Sequence, residues 1–235
     1  MLDDTVTERS FGDAASADPE LRRVTPFRVA LSHGLHIRMV DGLELILVTK
    51  TTPGLTEPQI DVLQRLVEDI AAGHVGPCKF LVFDLAGQGV APNRRSPQLE
   101  SLMGELSNLI FQVPVVSIAW ARQDVSGADL GLALACSMLV GETEASLTFD
   151  LDLVDNLTSY ALLAHKLGFV QAERLMEGAA VVDAAAAHDL MILNSVVPAG
   201  EGLDGIRKFV ASRMRRHNSA CGLYRAQRIT MLHAA

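Results

Sequence analysis

Hydrophobic and polar positions divide the chain into short apolar runs and longer amphipathic segments. After a polar stretch over residues 1–23, three runs from Phe27 onward are alternating or continuously apolar: FRVALS, HIRMV and LELILVT. They predict three β-strands with breaks at HG and DG, and the DG step is typical of a hairpin turn. The next segment, TEPQIDVLQRLVEDIAAG, predicts a helix capped by Thr56, with Pro58 in its first turn and Gly73 at its end.

Beyond Gly73 the predicted strands and helices alternate. Apolar runs of the kind found in strands covered on both faces occur in CKFLVFDLAG, VPVVSIAWA and SMLVG, and SLTFD predicts a shorter strand. SPQLESLMGELSNLIFQ and GADLGLALAC predict helices between them, and from about Leu157 the chain is predicted mostly helical, with an interruption at ILNSVVP. This order predicts an α/β layered fold with parallel strands.

Length and composition indicate one substantial domain. We expect a flexible acidic arm over residues 1–23, an α/β core over 24–200 and a C-terminal helical segment over 201–235. The net charge of −8 argues against nucleic acid as the main partner. No apolar run reaches the ~18 residues that a membrane span needs, and the N-terminus lacks a secretory pattern. The three dispersed cysteines predict reduced thiols in the cytoplasm and no metal site.

Two small-residue turns follow buried strands, DLAGQG at 84–89 and DVSGAD at 124–129. Ligands of open α/β sheets bind where strands end, and two turns with free N–H groups form an oxyanion hole for an acyl group. The second turn opens a helix, whose N-terminus favours negative charge, and Ser126 is a candidate cap. The alternative to an oxyanion hole is that this turn is simply the capped start of an ordinary helix. Phosphate-binding P-loop, HExxH, paired CxxC and GxSxG patterns are absent from the sequence.

Two longer segments carry a family resemblance. VPVVSIAWARQDVSGADLGLALACSMLVGETEASLTF and GFVQAERLMEGAAVVDAAAAHDLMILNSVVP resemble the crotonase (enoyl-CoA hydratase/isomerase) superfamily, over roughly residues 27–216. The tail RMRRHNSACGLYRAQR resembles the branch that contains diffusible-signal-factor synthases. The resemblance implies a crotonase-like spiral of ββα units with a C-terminal helical region that supports a homotrimer or hexamer. It also implies an acyl-CoA or acyl-carrier thioester from fatty acid metabolism as ligand, with coenzyme A as part of the substrate and no separate cofactor.

The resemblance places an oxyanion hole and a coenzyme-binding segment on this chain. One N–H donor is Ala128, in the place of a family glycine, and the other is expected at Gly87 in the shortened AGQG turn. Arg213, Arg215 and Arg216 lie in a basic stretch that otherwise predicts a solvated helix face, and they gain a candidate role in binding the phosphates of coenzyme A.

The two glutamates of family hydratases are missing from their places. The first position is Gly131, and the second falls at or beside Leu151. Glycine cannot transfer a proton to water, so ordinary two-glutamate hydration is not expected. Asp129 lies in the first turn of the oxyanion helix, where an ionised carboxylate would repel a developing enolate.

Three hypotheses follow from the sequence. The first is an enzyme that forms an enolate-like intermediate, with Asp150 or Asp155 as acid, base or nucleophile. The second is a catalytically silent ligand sensor or oligomer partner. The third is an acyl-CoA hydrolase or a dehalogenase-type enzyme acting through Asp155, which precedes TSY as the nucleophile of aryl-CoA dehalogenases does. Asp155 as a helix cap is the structural alternative. Cys136 and Trp120 are expected to have packing roles, and His165 is expected to be a packed or surface histidine.

Overall fold

The computed structural model describes residues 29–40, 42–86, 96–150, 156–214, 219, 221–224 and 226. The predicted acidic arm lies outside these residues, and the division into arm, core and C-terminal segment stays a prediction. The strands are β1 (Val29–Ser32), β2 (Leu35–Val40), β3 (Leu45–Lys50), β4 (Phe80–Asp84), β5 (Val116–Ala121), β6 (Asp124–Val125), β7 (Met138–Glu142), β8 (Ser146–Thr148), β9 (Val181–Asp183) and β10 (Ser195–Val197). The helices are α1 (Glu57–Ala71), α2 (Pro97–Gln112), α3 (Gly127–Ala135), α4 (Asn156–Leu167), α5 (Phe169–Glu177), α6 (Ala184–Asp189) and α7 (Leu203–Met214).

A seven-stranded sheet in the order β1-β2-β3-β4-β5-β7-β10 forms the centre of the described structure. β1, β2 and β3 pair antiparallel, whereas β3, β4, β5, β7 and β10 pair parallel. The parallel strands need crossovers, which α1, α2 and α3 provide. The carboxyl ends of β3, β4, β5 and β7 therefore lie at one edge of the sheet. A smaller sheet has the order β6-β8-β9.

The predicted strands are continuously apolar because both faces of the large sheet are covered. Alternate residues of β4 belong to two separate hydrophobic clusters, with Leu81 and Phe83 in one and Phe80 and Val82 in the other. The first cluster includes buried residues of α1, α2, α3 and α4, and we call its side of the sheet the helix-covered face. The second packs against Ile206, Phe209 and Val210 of α7, and we call its side the α7 face.

Helix starts and stops follow the predicted chemistry. At α1 the Thr56 N–H donates to Gln59 Oε1 at 3.0 Å, and at α2 the Ser96 hydroxyl accepts from the Leu99 N–H at 3.3 Å. Gly73 follows α1 with φ of 75°, a left-handed conformation that glycine adopts without strain. These contacts fix where α1 and α2 begin and where α1 stops.

The region after Leu157 is less helical than predicted. Val181–Asp183 forms β9, which pairs antiparallel with β8, although its sequence lies beside an alanine-rich helix. The strand satisfies the otherwise open edge of β8, a requirement that the local sequence does not reveal. No helix within the described ranges is both long enough and apolar enough to cross a bilayer.

Candidate functional site

The start of α3 presents backbone N–H groups at the edge of the large sheet. The Leu130 N–H makes the first helical bond to the Ser126 carbonyl at 3.3 Å, so the N–H of Ala128 precedes the hydrogen-bonded ladder and has no partner inside the helix. Ser126 occupies the N-cap position, but its side chain makes no capping bond. Gly127 has φ of 57°, which turns the chain from β6 into the helix. Ala128 itself is buried. Its role as an oxyanion donor stays a prediction.

A buried ion pair fixes this helix start to the rest of the sheet. Lys50, the last residue of β3, donates through Nζ to Asp129 Oδ2, and the two side chains are only 2% and 10% exposed. Burial raises the pKa of Asp129, while the Lys50 charge and hydrogen bonds from Lys50 and the Leu55 N–H act to lower it. The pair joins residues 79 positions apart and holds the first turn of α3 against β3.

Asp129 faces a different way from Gly131, the position that the resemblance assigns to the first family glutamate. It precedes Gly131 by two residues, which is about 200° around a helix, so the two positions face different ways. Asp129 faces Lys50, whereas a Cβ added to Gly131 would lie 3.3 Å from Ser159 Oγ and 3.4 Å from Met103 Cε. The sequence predicts that Asp129 lies in the first turn of the helix, but it does not predict that Lys50 pairs with it. The sequence feature that could have indicated this pair is the lysine that ends the buried strand LILVTK.

Two buried side chains from other helices fill the space beside Gly131. Met103 of α2 is 3% exposed and Ser159 of α4 is 1% exposed. Ser159 Oγ has no hydrogen-bond partner among the described residues. A side chain at Gly131, the position that the resemblance assigns to the first family glutamate, would therefore contact Met103 and Ser159 closely.

A second charged cluster lies at the same edge of the sheet but on its α7 face. Arg122, next after β5, contacts Asp84 of β4 at 3.7 Å and Glu142 of β7 at 3.1 Å. Its guanidinium also stacks 4.8 Å from the centre of the Trp120 ring. Both carboxylates are buried, and Asp84 Oδ1 has no hydrogen-bond partner within the described part of the chain. The sequence analysis does not predict this cluster, although Asp84 and Glu142 end buried apolar strands and Arg122 follows one.

The electrostatics of Asp84 follow from its burial. Removal from water raises the pKa of Asp84, and the nearby Glu142 raises it further. The Arg122 guanidinium, the Ala86 N–H and the Thr49 hydroxyl act in the opposite direction. The net effect is a carboxyl group that takes up a proton more readily than an exposed aspartate.

The remaining predicted site residues are only partly described. Asp150 is half-buried and directly follows Phe149, which is fully buried. Arg213 lies in the last turn of α7 with its guanidinium 5.2 Å from the Phe209 ring, so part of it packs against the core. Gly87, Asp155, Arg215 and Arg216 lie outside the described residues. Their assigned roles, and those of Asp150 and Arg213, stay predictions.

No group of three or more His, Cys, Asp or Glu residues suited to a metal ion occurs in the parts of the chain that the structure describes. No disulfide joins the three cysteines, and Cys136 is buried. The expectation that coenzyme A enters only as part of the substrate stays a prediction.

No protein-family model and no curated protein matches the chain. Solved structures do match. An enoyl-CoA hydratase from Mycobacterium avium subsp. paratuberculosis is 21% identical over 86% of this chain and 88% of its own, with a TM-score of 0.72. A methylmalonyl CoA decarboxylase complexed with 2S-carboxypropyl CoA is 14% identical over 86% and 83%, with a TM-score of 0.71. Pseudomonas aeruginosa DspI is 19% identical over 82% and 79%, with a TM-score of 0.64.

These identities are low, so the similarity bears on the fold. The predicted fold class, an α/β crotonase-like spiral with a C-terminal helical region, is confirmed. The resemblance of the sequence to the enoyl-CoA hydratase/isomerase group is likewise confirmed, as a similarity of fold.

Proposed function

We propose that this chain, which has the crotonase fold, binds an acyl thioester carried by coenzyme A or by an acyl carrier protein. In this proposal the thioester oxygen accepts a hydrogen bond from the Ala128 N–H at the start of α3. The unpartnered position of that N–H, ahead of the helical ladder and at the edge of the sheet, is the observation that carries the proposal. The methylmalonyl CoA decarboxylase with the same fold, which is complexed with 2S-carboxypropyl CoA, supports a ligand that contains coenzyme A.

The local chemistry suits an acyl oxygen that carries partial negative charge. The N-terminus of a helix concentrates unpaired N–H groups and a positive partial charge. Every residue of α3 is buried, so its dipole is poorly screened by water and acts strongly on a bound oxygen. The Lys50–Asp129 pair adds little net charge, because each member neutralises the other.

We also propose that the protein does not hydrate enoyl thioesters by the two-glutamate mechanism. Hydration needs one group to activate water and another to donate a proton to carbon. At the first of the two family positions there is a glycine, and Met103 and Ser159 occupy the adjoining space. The second position, Leu151, is apolar and lies outside the described residues.

A catalytically silent binder is the second candidate, and the filled space beside Gly131 favours it. A site that has an oxyanion donor at Ala128 but no acid at position 131 is suited to binding a thioester without catalysing its reaction. The enzymatic alternative rests on Asp150 or Asp155 as the acid–base or nucleophilic group. Assembly as a homotrimer or hexamer and a cytoplasmic location stay proposals.

Calorimetric titration with acetyl-CoA, crotonyl-CoA and free CoA, followed by mass analysis of each mixture, tests these proposals. We expect saturable binding of the two thioesters, weaker binding of free CoA, and no hydrated crotonyl product. Absence of binding to all three would contradict the proposed ligand class. Formation of 3-hydroxybutyryl-CoA would contradict the proposed loss of hydration.

If another product forms, Asp150→Asn separates the remaining alternatives. An enzyme that uses Asp150 loses turnover in this variant while its thioester affinity stays within about twofold. Unchanged turnover leaves Asp155 as the remaining predicted group and rules out Asp150.

A further inference from the structure

One buried serine differs from the others in the described part of the chain because its hydroxyl group is unpaired. Ser107 donates to the Met103 carbonyl at 2.8 Å, and Ser117 accepts the Ser137 N–H at 2.9 Å. Ser159 Oγ is equally closed off from water but has no hydrogen-bond partner among the described residues. A buried hydroxyl group without a partner is costly to the folded chain, so Ser159 is a candidate for contact with a polar group of a ligand.

Ser159 lies where the starts of two helices meet. It is the fourth residue of α4, and its Oγ lies 3.3 Å from the position that a Cβ on Gly131 of α3 would take. Gly131 follows Ala128 by three residues, which is about 60° around α3 and about 4.5 Å along it, so both residues lie on one face of this helix. The hydroxyl group therefore lies beside the face that begins at the proposed oxyanion donor. The first turn of α4 also adds positive partial charge there.

The space along this face of α3 is narrow, and one of its walls can move. On the other side of the Cβ position of Gly131, Met103 Cε lies at 3.4 Å. Methionine is unbranched and has three rotatable bonds, so the end of its side chain can change position. The serine side chain is too short to withdraw from α3 in the same way. An acyl chain that passes Gly131 therefore displaces Met103 and stays in contact with Ser159.

We propose that Ser159 selects a 3-oxoacyl thioester by donating a hydrogen bond to the oxygen on C3. This inference rests on the proposed binding of the thioester oxygen by the Ala128 N–H. From the thioester carbon, an oxygen on C3 is reached through two carbon–carbon bonds and one C=O bond, a span of roughly 3.5 Å. That span is comparable with the distance of about 4.5 Å along α3 that separates Ala128 from Gly131.

A ketone on C3 suits this hydroxyl group better than an alcohol or a hydrocarbon does. Ser159 has one O–H to donate, and a ketone oxygen accepts it without adding a donor. An alcohol adds a second O–H, and Met103, the other described side chain at this place, is only a weak acceptor. A hydrocarbon leaves the Ser159 hydroxyl group unpaired, and sites with an unpaired buried polar group bind such analogues more weakly.

Calorimetric titration of the full chain with acetoacetyl-CoA, 3-hydroxybutanoyl-CoA and butanoyl-CoA tests this selection. We expect acetoacetyl-CoA to bind about tenfold more tightly than butanoyl-CoA, which has the same carbon chain, with 3-hydroxybutanoyl-CoA between them. In Ser159→Ala that ratio should fall to about twofold or less. Ser107→Ala is the matched control, because it removes a buried hydroxyl group that is already paired within the chain, and it should keep the ratio of the unaltered chain.

Thermal unfolding separates a role in binding from a role in folding. Ser159→Ala removes an unpaired buried hydroxyl group and introduces a better helix former, so it should be at least as stable as the unaltered chain. If Ser159→Ala does not fold, Ser159→Cys takes its place. Its thiol is only a weak donor, so the same loss of preference for acetoacetyl-CoA is expected.

Two kinds of failure are distinguishable in these titrations. The inference is overturned, and the proposed thioester site stands, if butanoyl-CoA binds and acetoacetyl-CoA binds no more tightly. The same holds if the Ser159 variant keeps the tenfold ratio. If none of the three CoA esters binds, the proposed function fails, and this inference fails with it.

Discussion

At the scale of single residues, Lys50 and Asp129 decide how the start of α3 is held. Both side chains are nearly inaccessible to water, and Asp129 Oδ1 has no hydrogen-bond partner among the described side chains and backbone groups. Replacing only one member of a buried ion pair destabilises the fold strongly, because the other charge then stays buried without a partner.

The first prediction concerns this pair. Lys50→Met should lower the free energy of unfolding by about 3–5 kcal/mol, since it leaves the Asp129 carboxylate buried without a cation. Lys50→Met with Asp129→Leu should recover most of that loss, because both charges are then gone. Urea denaturation of the two single variants and the double variant gives the coupling energy. Additive losses would contradict the interpretation.

The exposed pair of Lys208 and Glu201 provides the control for that cycle. Its side chains are 72% and 35% exposed. Surface ion pairs contribute about 0–1 kcal/mol, so Lys208→Met should change stability far less than Lys50→Met does.

The second prediction concerns Asp84 and pH. Because the pKa of Asp84 is higher in the folded chain than its ordinary value of 3.8, the folded state holds the proton more tightly than the unfolded state. The resulting stabilisation is fully present below 3.8 and is lost as pH rises through the folded pKa. The stability of the unaltered chain relative to Asp84→Asn should therefore fall as the pH rises from 4 to 7.

Denaturation curves of both proteins across that pH range measure the difference directly. A difference that stays constant, or that grows with pH, would show that Arg122 outweighs burial at this carboxyl group.

At the scale of secondary-structure elements, the sequence predicts much of the order of strands and helices along the chain. It does not predict which faces of these elements pack together. Continuous apolar runs predict β4, β5 and β7, and the capping residue Thr56 predicts where α1 begins. β9 was missed because its three residues adjoin an alanine-rich helix. The Lys50–Asp129 contact was missed because it depends on how α3 crosses over the sheet, and residues 79 positions apart carry no local signal of that contact.

The third prediction tests the filled space beside Gly131. Gly131→Glu should destabilise the protein by about 1–3 kcal/mol, because its side chain must displace Met103 and Ser159. It should also form no hydrated product from crotonyl-CoA. Gly131→Ala is the matched control: its Cβ meets atoms at 3.3 and 3.4 Å, and the gain in helix propensity offsets that close contact.

Met103→Ala in the Gly131→Glu background should restore part of the lost stability, since it removes one of the two neighbours. Thermal unfolding of these variants reports the result. If Gly131→Glu is as stable as Gly131→Ala, the space beside residue 131 can hold a glutamate side chain. That result would contradict the interpretation that Met103 and Ser159 fill this space.

At the scale of the whole molecule, charged and polar chemistry is concentrated at the two edges of the large sheet. The carboxyl edge holds Lys50 on the helix-covered face and the Arg122 cluster on the α7 face, while a cavity that Lys166 lines lies at the amino edge. The family resemblance was sufficient to predict the fold, whereas the role of Ala128 stays a prediction. It was not sufficient to predict that other helices close the space beside Gly131, which is decided by packing between α2, α3 and α4.

The most direct test of the account is the affinity of Ala128→Pro for crotonyl-CoA, compared with Ala128→Gly. Proline fits the first turn of a helix but removes the N–H, whereas glycine keeps it. With both variants shown to be folded by thermal unfolding, we predict that Ala128→Gly binds as the unaltered chain does and that Ala128→Pro binds about tenfold more weakly, ~1.4 kcal/mol. Equal affinities in the two variants would contradict the claim that this N–H holds the thioester oxygen.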